Sequence, residues 1–276
     1  MPELPEVETV RKTLEQLVVG KEIEKVTVLW PRIIKHPEEH EQFTDALKGQ
    51  VIEQIGRRGK FLLFYLTDLV LVSHLRMEGK YGVFPSGGEL DKHTHVLFTF
   101  TDQTELRYKD VRKFGTMHLF RKGEEFERLP LSKLGPEPLS EEFHWLFLKD
   151  ALKKTGRTIK AVMLDQTVVV GVGNIYVDES LYRAGIHPER IASSLCDEEC
   201  QRLVKEVKDT LQEAIEQGGS TIRSYVNSQG QIGMFQQQLF VYSQTGKPCK
   251  NCGTPIEKMK VAGRGTHICP VCQKKD

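Results

Sequence analysis

The sequence contains no apolar run approaching the roughly 20 residues of a membrane-spanning helix, and its amino terminus lacks a basic-then-apolar leader. Neither membrane insertion nor export is therefore expected, and the expected location is the cytoplasm. Charge of one sign is also missing: 39 Lys and Arg against 38 Asp and Glu leave a formal net charge of +1. The overall balance thus gives no pointer to nucleic acid. Cysteine is scarce through most of the chain, since only Cys196 and Cys200 precede the last 28 residues, which hold the other four. A secreted disulfide scaffold would spread its cysteines, so that class is excluded and metal ligation explains the terminal cluster better. No internal repeat or low-complexity tract is present.

What is present describes an ordinary globular protein of 276 residues, with 39% hydrophobic and 28% charged side chains, long enough for more than one core. Charge is distributed unevenly. Residues 1–50 hold 7 basic and 10 acidic side chains, whereas 241–276 hold 7 and 2, so the tail carries +5 and the remainder −4. A localised anion site is implied.

Residues 4–20 read as a helix, with Pro5 in the first turn, Val7, Val10, Leu14, Leu17 and Val18 on one face, and Gly20 as the stop. From about 22 to 120 the pattern changes to short β-type runs: Ile23–Trp30, Val51–Ile55, Lys60–Leu66, Leu69–His74, His95–Phe100, Glu105–Tyr108 and Thr116–Phe120. Their spacing predicts an antiparallel sandwich. Leu129 to Pro138 reads as a linker, and the pattern beyond it is helical. Thr158–Leu164 and Val177–Arg183 flank a double turn, and Cys196 caps a strong helix to Glu216 with Glu199 three residues on. The expected class is α+β and multidomain. Residues 1–130 form a β-sandwich with a leading helix, 131–139 a linker, 140–238 a helical helix-two-turn-helix domain, and 239–276 a zinc-ribbon finger. Within the third segment, 218–238 has few apolar anchors and reads as a functional loop.

Four motifs carry chemistry. The first is the opening Met1-Pro2-Glu3. If Met1 is trimmed, Pro2 presents a secondary amine that can condense with an aldehyde to a cationic iminium, with the Glu3 carboxylate beside it. A helix dipole behind them would lower the amine's pKa and steady the carboxylate. The plain alternative is a Pro-Glu that merely leads into a helix. The second motif is Cys249-x-x-Cys252 followed after sixteen residues by Cys269-x-x-Cys272, the spacing of a structural zinc site. Between those turns, the third motif, Gly263-Arg264-Gly265, reads as a hairpin tip projecting one guanidinium toward a phosphate; an exposed arginine without a role is the alternative. The fourth, Gly171-Val172-Gly173-Asn174, places glycine and Asn at a helix start, where free N–H groups attract an anion. It lacks the third glycine and βαβ context of a dinucleotide fold.

Three basic clusters with embedded apolar residues recur in the first half: Arg57–Phe61, His74–Gly79 and Arg107–Gly115. Each by itself fits a solvated sheet edge, with Met77 and Phe114 in the core. Together they suggest a phosphate-tracking surface with apolar wedges. Lys60, between a glycine and an apolar run, fits a partly desolvated amine near Pro2.

The opening Pro2-Glu3-Leu4-Pro5-Glu6-Val7-Glu8, the Gly173-Asn174 turn and the four-cysteine finger with Arg264 resemble, end to end and in order, the formamidopyrimidine-DNA glycosylases. The resemblance implies excision of oxidised purines such as 8-oxoguanine and formamidopyrimidines from duplex DNA lying between two lobes, with strand cleavage at the abasic site. It implies Pro2 as nucleophile on C1′ and Glu3 as general acid and base. Lys60 and Arg264 would bind flanking phosphates and assist, and Asn174 would share the phosphate clamp. Met77, Arg112 and Phe114 would fill the gap left by the everted base, with Arg112 facing the orphaned cytosine. His74 and His93 would be further DNA contacts, and loop 218–238 would close over the base. One structural zinc, no nucleotide cofactor, no membrane and a monomer are expected. The alternatives are an endonuclease VIII-like glycosylase for oxidised pyrimidines, against which Leu4 stands where that family has glycine, and a non-catalytic zinc-ribbon DNA-binding protein.

Overall fold

A computed structural model of the chain describes residues 1–153, 155–220 and 234–275. Two compact units emerge, Met1–Lys133 and Leu134–Ser220 with Met234–Asp276. The break between Lys133 and Leu134 lies inside the expected 131–139 linker. Helical and finger segments share the second unit. Most of the 218–238 loop (221–233) lies outside the described residues.

The first unit opens with α1 (Leu4–Val18), whose Val7, Val10, Leu14 and Val18 are buried as their spacing requires. Glu3 is its N-cap, and the Glu6 carboxylate accepts the Glu3 backbone N–H at 2.8 Å, closing a capping box. There follow β1 (Ile23–Val28), β2 (Ile34–His36), α2 (His40–Leu47), β3 (Ile52–Arg58), β4 (Phe61–Leu66), β5 (Leu69–His74), β6 (Lys80–Pro85), β7 (Thr94–Phe100), β8 (Thr104–Lys109) and β9 (Thr116–Arg121). They form a four-stranded sheet, β1-β7-β8-β6, and a five-stranded sheet, β2-β9-β5-β4-β3. Inward residues such as Val96, Phe98, Phe100, Leu62, Phe64 and Leu119 join the helix face in one apolar core.

The expected sandwich is present with additions. The short β2 pairs with β9 in parallel, through Ile34 opposite Met117, so the sheet is not wholly antiparallel. β2, α2 and β6 were not anticipated. Three residues are too few for a period, α2 buries only Phe43 and Leu47, and β6 contains Gly82 and ends on Pro85.

In the second unit, α3 (Trp145–Lys153), α4 (Ile159–Met163), α5 (Asn174–Arg183) and α6 (Asp197–Glu216) precede the finger strands β10 (Glu257–Val261) and β11 (Arg264–Ile268). α5 starts three residues earlier than the pattern suggested, with Gly173 as N-cap. The double turn before it is stapled by Gln166, whose amide donates to the Leu164 and Val172 carbonyls and accepts from Gly171 N–H. Cys196 caps α6 and receives its capping box from Glu199, at 2.9 Å, as expected.

Candidate active site and nucleic-acid interface

Register alone gathers the first unit's candidates at one end. Phe61 lies opposite His74, and His74 opposite Thr116. The turn before β4, the loop after β5 and the loop before β9 therefore leave the five-stranded sheet on the same side, and these carry Lys60, Met77, and Arg112 with Phe114. α1 runs antiparallel along β3: Glu8 accepts from Arg57 Nε at 2.9 Å, Arg11 donates to the Ile55 carbonyl, and Gly20 N–H donates to Ile52. Its start, with Pro2 and Glu3, thus faces the Gly59–Lys60 end. Pro2, Glu3 and Lys60 are all buried.

Gly59 takes φ +56° as the first of two residues linking the paired Arg58 and Phe61, a turn that favours glycine there. Lys60 then follows with little solvent around its stem. His74 is buried, packs edge-on against Phe61 at 4.5 Å, and accepts Arg76 N–H on Nδ1. Desolvation, with the charges of Arg76 and Lys60, drives its pKa down to about 3, so it is neutral at pH 7.

Met77 and Phe114 are 37% and 51% exposed, which excludes the core role their residue type suggested. Arg112 is exposed and stacks its guanidinium over the Phe114 ring at 4.7 Å. His93 joins the same end because its carbonyl accepts the Asp110 N–H at 3.0 Å. Not every basic residue of the clusters is available to an anion. Arg107 is buried and paired with Glu105, and Arg57 is engaged by Glu8.

The finger's turn is Ala262-Gly263, at φ +51° and +74°, between the paired Val261 and Arg264. Arg264 is consequently not the tip itself but the first residue of β11, exposed beside the turn. With positive φ at both positions the turn is of type I′, one of the two that match the twist of paired strands. Asn174 reaches this strand: its Nδ2 donates to the Gly265 carbonyl at 2.9 Å. Asn174 and Arg264 therefore stand on adjoining parts of one unit.

Four sulfurs, of Cys249, Cys252, Cys269 and Cys272, lie within 4.8 Å of one another, the one such cluster of potential ligands among the described residues. Sulfurs about 2.3 Å from one tetrahedral ion stand about 3.8 Å apart; the Cys249–Cys272 and Cys252–Cys269 pairs measure 3.8 and 3.4 Å. The donor set fits a structural metal ion.

Sequence reading missed the side chains that secure this finger, all on α4 and α5. The fully buried Lys160 donates to Asp178 Oδ1 at 2.6 Å and to Thr266 Oγ1 at 2.8 Å. Asp178 Oδ2 accepts His267 N–H at 2.9 Å. Glu179 accepts three backbone N–H groups, of Phe240, Val241 and Tyr242, at 2.8–2.9 Å. Burial nevertheless holds its carboxyl above the ordinary range. The Tyr182 hydroxyl lies 3.1 Å from Cys249 Sγ. The Asp178-Glu179 pair, set with Ser180 between the apolar Ile175–Val177 and Leu181, was the available signal.

A sandwich with an amino-terminal Pro-Glu, joined to a double-turn helical segment and a four-cysteine finger, defines a DNA-repair glycosylase with a metal-bound finger. Family models agree along the chain: the formamidopyrimidine-DNA glycosylase N-terminal domain matches residues 1–117, the H2TH domain of that family 134–226, and the zinc finger found in FPG and IleRS 246–275. The formamidopyrimidine-DNA glycosylases of Bacillus licheniformis, Bacillus subtilis and Shouchella clausii are 63%, 62% and 64% identical over 275 residues, covering 100% of each chain. Two solved structures of the Lactococcus lactis protein, a variant bound to Fapy-dG DNA and a complex with abasic-site DNA, superpose with TM-scores of 0.94 and 0.92. Both are 44% identical and cover 99% of this chain and 100% of theirs. The chain belongs to the formamidopyrimidine-DNA glycosylase family. It is a DNA glycosylase of base-excision repair for oxidised purine lesions, and neither the pyrimidine-directed nor the non-catalytic alternative is favoured.

Proposed function

We propose that the chain is bifunctional, removing 8-oxoguanine and formamidopyrimidines from duplex DNA and then cutting the strand through a Pro2 iminium. With Met1 removed, the Pro2 nitrogen lone pair forms a bond to C1′ and the glycosidic bond breaks, its electrons leaving with the base. The Pro2 nitrogen passes its N–H proton to the departing base, Glu3 protonates the ring oxygen as the C1′–O4′ bond opens, and the nitrogen lone pair completes a cationic iminium. Loss of a C2′ proton expels the 3′ phosphate, a second elimination expels the 5′ phosphate, and water releases Pro2. Lys60 and Arg264 neutralise the phosphates flanking the lesion, with Asn174 sharing that contact. Met77, Arg112 and Phe114 occupy the vacated stack, His74 and His93 make further DNA contacts, and loop 218–238 covers the everted base.

The observation that best supports this reading is the common end of the sandwich, where α1's start, the Lys60 turn and the loops of Met77 and Arg112–Phe114 meet. Cys249, Cys252, Cys269 and Cys272 hold one zinc, which keeps the finger folded and takes no part in bond making. The division of labour follows segments 1–130, 140–238 and 239–276, in a monomer acting in the bacterial cytoplasm. Borohydride is expected to trap the processed protein covalently on an 8-oxoguanine duplex opposite cytosine, and Pro2→Gly to weaken trapping severely. Absence of a crosslink from wild type with verified Met1 removal would overturn the mechanism. Stronger trapping on oxidised pyrimidines would overturn the substrate.

A further inference from the structure

The loops bearing Met77 and Phe114 are separated by more than thirty residues of sequence, yet one side chain serves both. Each contains a non-glycine residue in the left-handed region, Arg76 at φ +53° and Lys113 at φ +57°. Such conformations persist where the surroundings over-determine them. Arg76 N–H is held by His74 Nδ1, and the feature common to both loops is the pair Tyr108 and Asp110. Tyr108, next to last in β8, has a fully buried ring packed edge-on against Tyr81 at 5.1 Å. Its hydroxyl lies against Gly79 of one loop and Gly115 of the other, so closely that a methyl on either glycine would overlap the oxygen. The same hydroxyl points to Asp110 Oδ2, at 3.4 Å.

Asp110, 1% exposed, makes the second half of the clamp. Its carboxylate accepts the backbone N–H groups of Arg112 at 3.0 Å, Phe114 at 2.9 Å and Gly115 at 2.8 Å. Its carbonyl accepts from buried His95 Nε2 at 2.7 Å, which makes His95 the Nε2–H tautomer. Every residue of the second loop that is assigned to DNA thus hangs from one carboxylate. The first loop leans on the hydroxyl that carboxylate faces.

We infer that Tyr108 and Asp110 are positioning residues that preset the two loops as a single wedge, so that Met77, Arg112 and Phe114 enter the base stack together. The inference rests on the proposed gap-filling role of those three. Extruding a paired base breaks its stacking and pairing, and a wedge ordered beforehand loses less entropy on entering. An abasic site has no base to evict, so its cleavage depends less on the wedge.

Tyr108→Phe removes one oxygen and keeps the ring, and Asp110→Asn keeps the volume while placing an amide donor against backbone donors. Both are expected to slow excision of 8-oxoguanine from duplex about ten- to a hundredfold, and to slow cleavage of preformed abasic DNA no more than about twofold. A 2-aminopurine beside the lesion should lose its rapid fluorescence rise, which reports unstacking. Equal loss of both activities, in step with a lowered melting temperature, would mean that the clamp is only structural and overturns the inference. Met77→Ala separates the two layers. If it leaves excision and fluorescence intact, the gap-filling reading itself fails. If it impairs them while Tyr108→Phe does not, the positioning inference alone fails.

Discussion

The sandwich and the finger are held by different forces. The first unit buries some two dozen apolar side chains between two sheets and α1, and its candidate site residues hang on turns at one end of that core. Among the described residues the finger has a small satellite cluster of Tyr182, Val241, Cys249, Ile256 and Cys269, with Phe240 and Cys272 packed against it, and three of these seven are metal-ligand candidates. It depends instead on four sulfurs and on buried charges reaching it from α4 and α5. A hydrophobic core tolerates loss of one group in proportion to the area lost. A buried ionic network does not, because removing one member strands its partner in low dielectric.

The contrast is broken most strongly by taking away the metal. Structural zinc contributes an apparent ~10–16 kcal/mol to small finger domains. A strong chelator, or Cys252→Ala, should therefore unfold residues 246–275 and abolish DNA binding while the sandwich signals in an NMR spectrum stay in place. A finger that remains protected from protease after metal removal would show that α5 alone suffices.

Next in size is Asp178→Asn, which leaves Lys160 buried without its counter-charge. A loss of about 3–5 kcal/mol is expected in thermal unfolding. The double change Lys160→Met with Asp178→Leu should cost less than either single change. If it costs their sum, the pair is not coupled.

The sandwich has its own weak point in acid. The folded state keeps His74 neutral down to about pH 3, and His118, desolvated among positive neighbours, down to about pH 4. An unfolded chain takes up those protons near pH 6.5. Between pH 6.5 and 3 the unfolded state binds more protons, so stability falls as pH falls. Melting curves of His74→Gln should show a shallower decline than wild type over that window, and parallel curves would remove His74 from the account.

The smallest expected effect returns to the finger. Tyr182→Phe removes the hydroxyl 3.1 Å from Cys249 Sγ and keeps the ring stacked on Phe240 at 5.5 Å. Partners of metal ligands typically contribute about 10–100-fold to affinity, so zinc release to a chromogenic chelator should accelerate about tenfold, at the low end of that range. Unchanged release would make the contact incidental.

Legibility followed the range of the interactions. The leading helix, the cap of Cys196 by Glu199 and the cysteine spacing were readable because each is a contact within a few residues. β2, α2 and β6 were not, since pairing and packing partners far along the chain stabilise them against weak local patterns. The turn beside Arg264 was misplaced by one residue, because Gly263-Arg264-Gly265 and Ala262-Gly263 are both acceptable turns until strand register selects between them. Lys160 and Asp178 were invisible for a stronger reason: their finger partners Thr266 and His267 lie 106 and 89 residues away.

Residue order alone was enough to specify the proposed reactive groups: a secondary amine waiting behind Met1, a carboxylate next to it, four thiols at metal spacing and an arginine between them. Those are properties of residue type and short spacing, which no folding can alter. That Lys60, Met77, Arg112 and Phe114 share an end with Pro2 was settled by the register of β4, β5 and β9 and by the direction of α1 along β3. The burial that keeps His74 uncharged, and the clamp of Tyr108 and Asp110 on two remote loops, likewise arose only in the packed fold. Desolvation and pairing energies depend on distance in space, and for these groups distance along the chain carries no record of it.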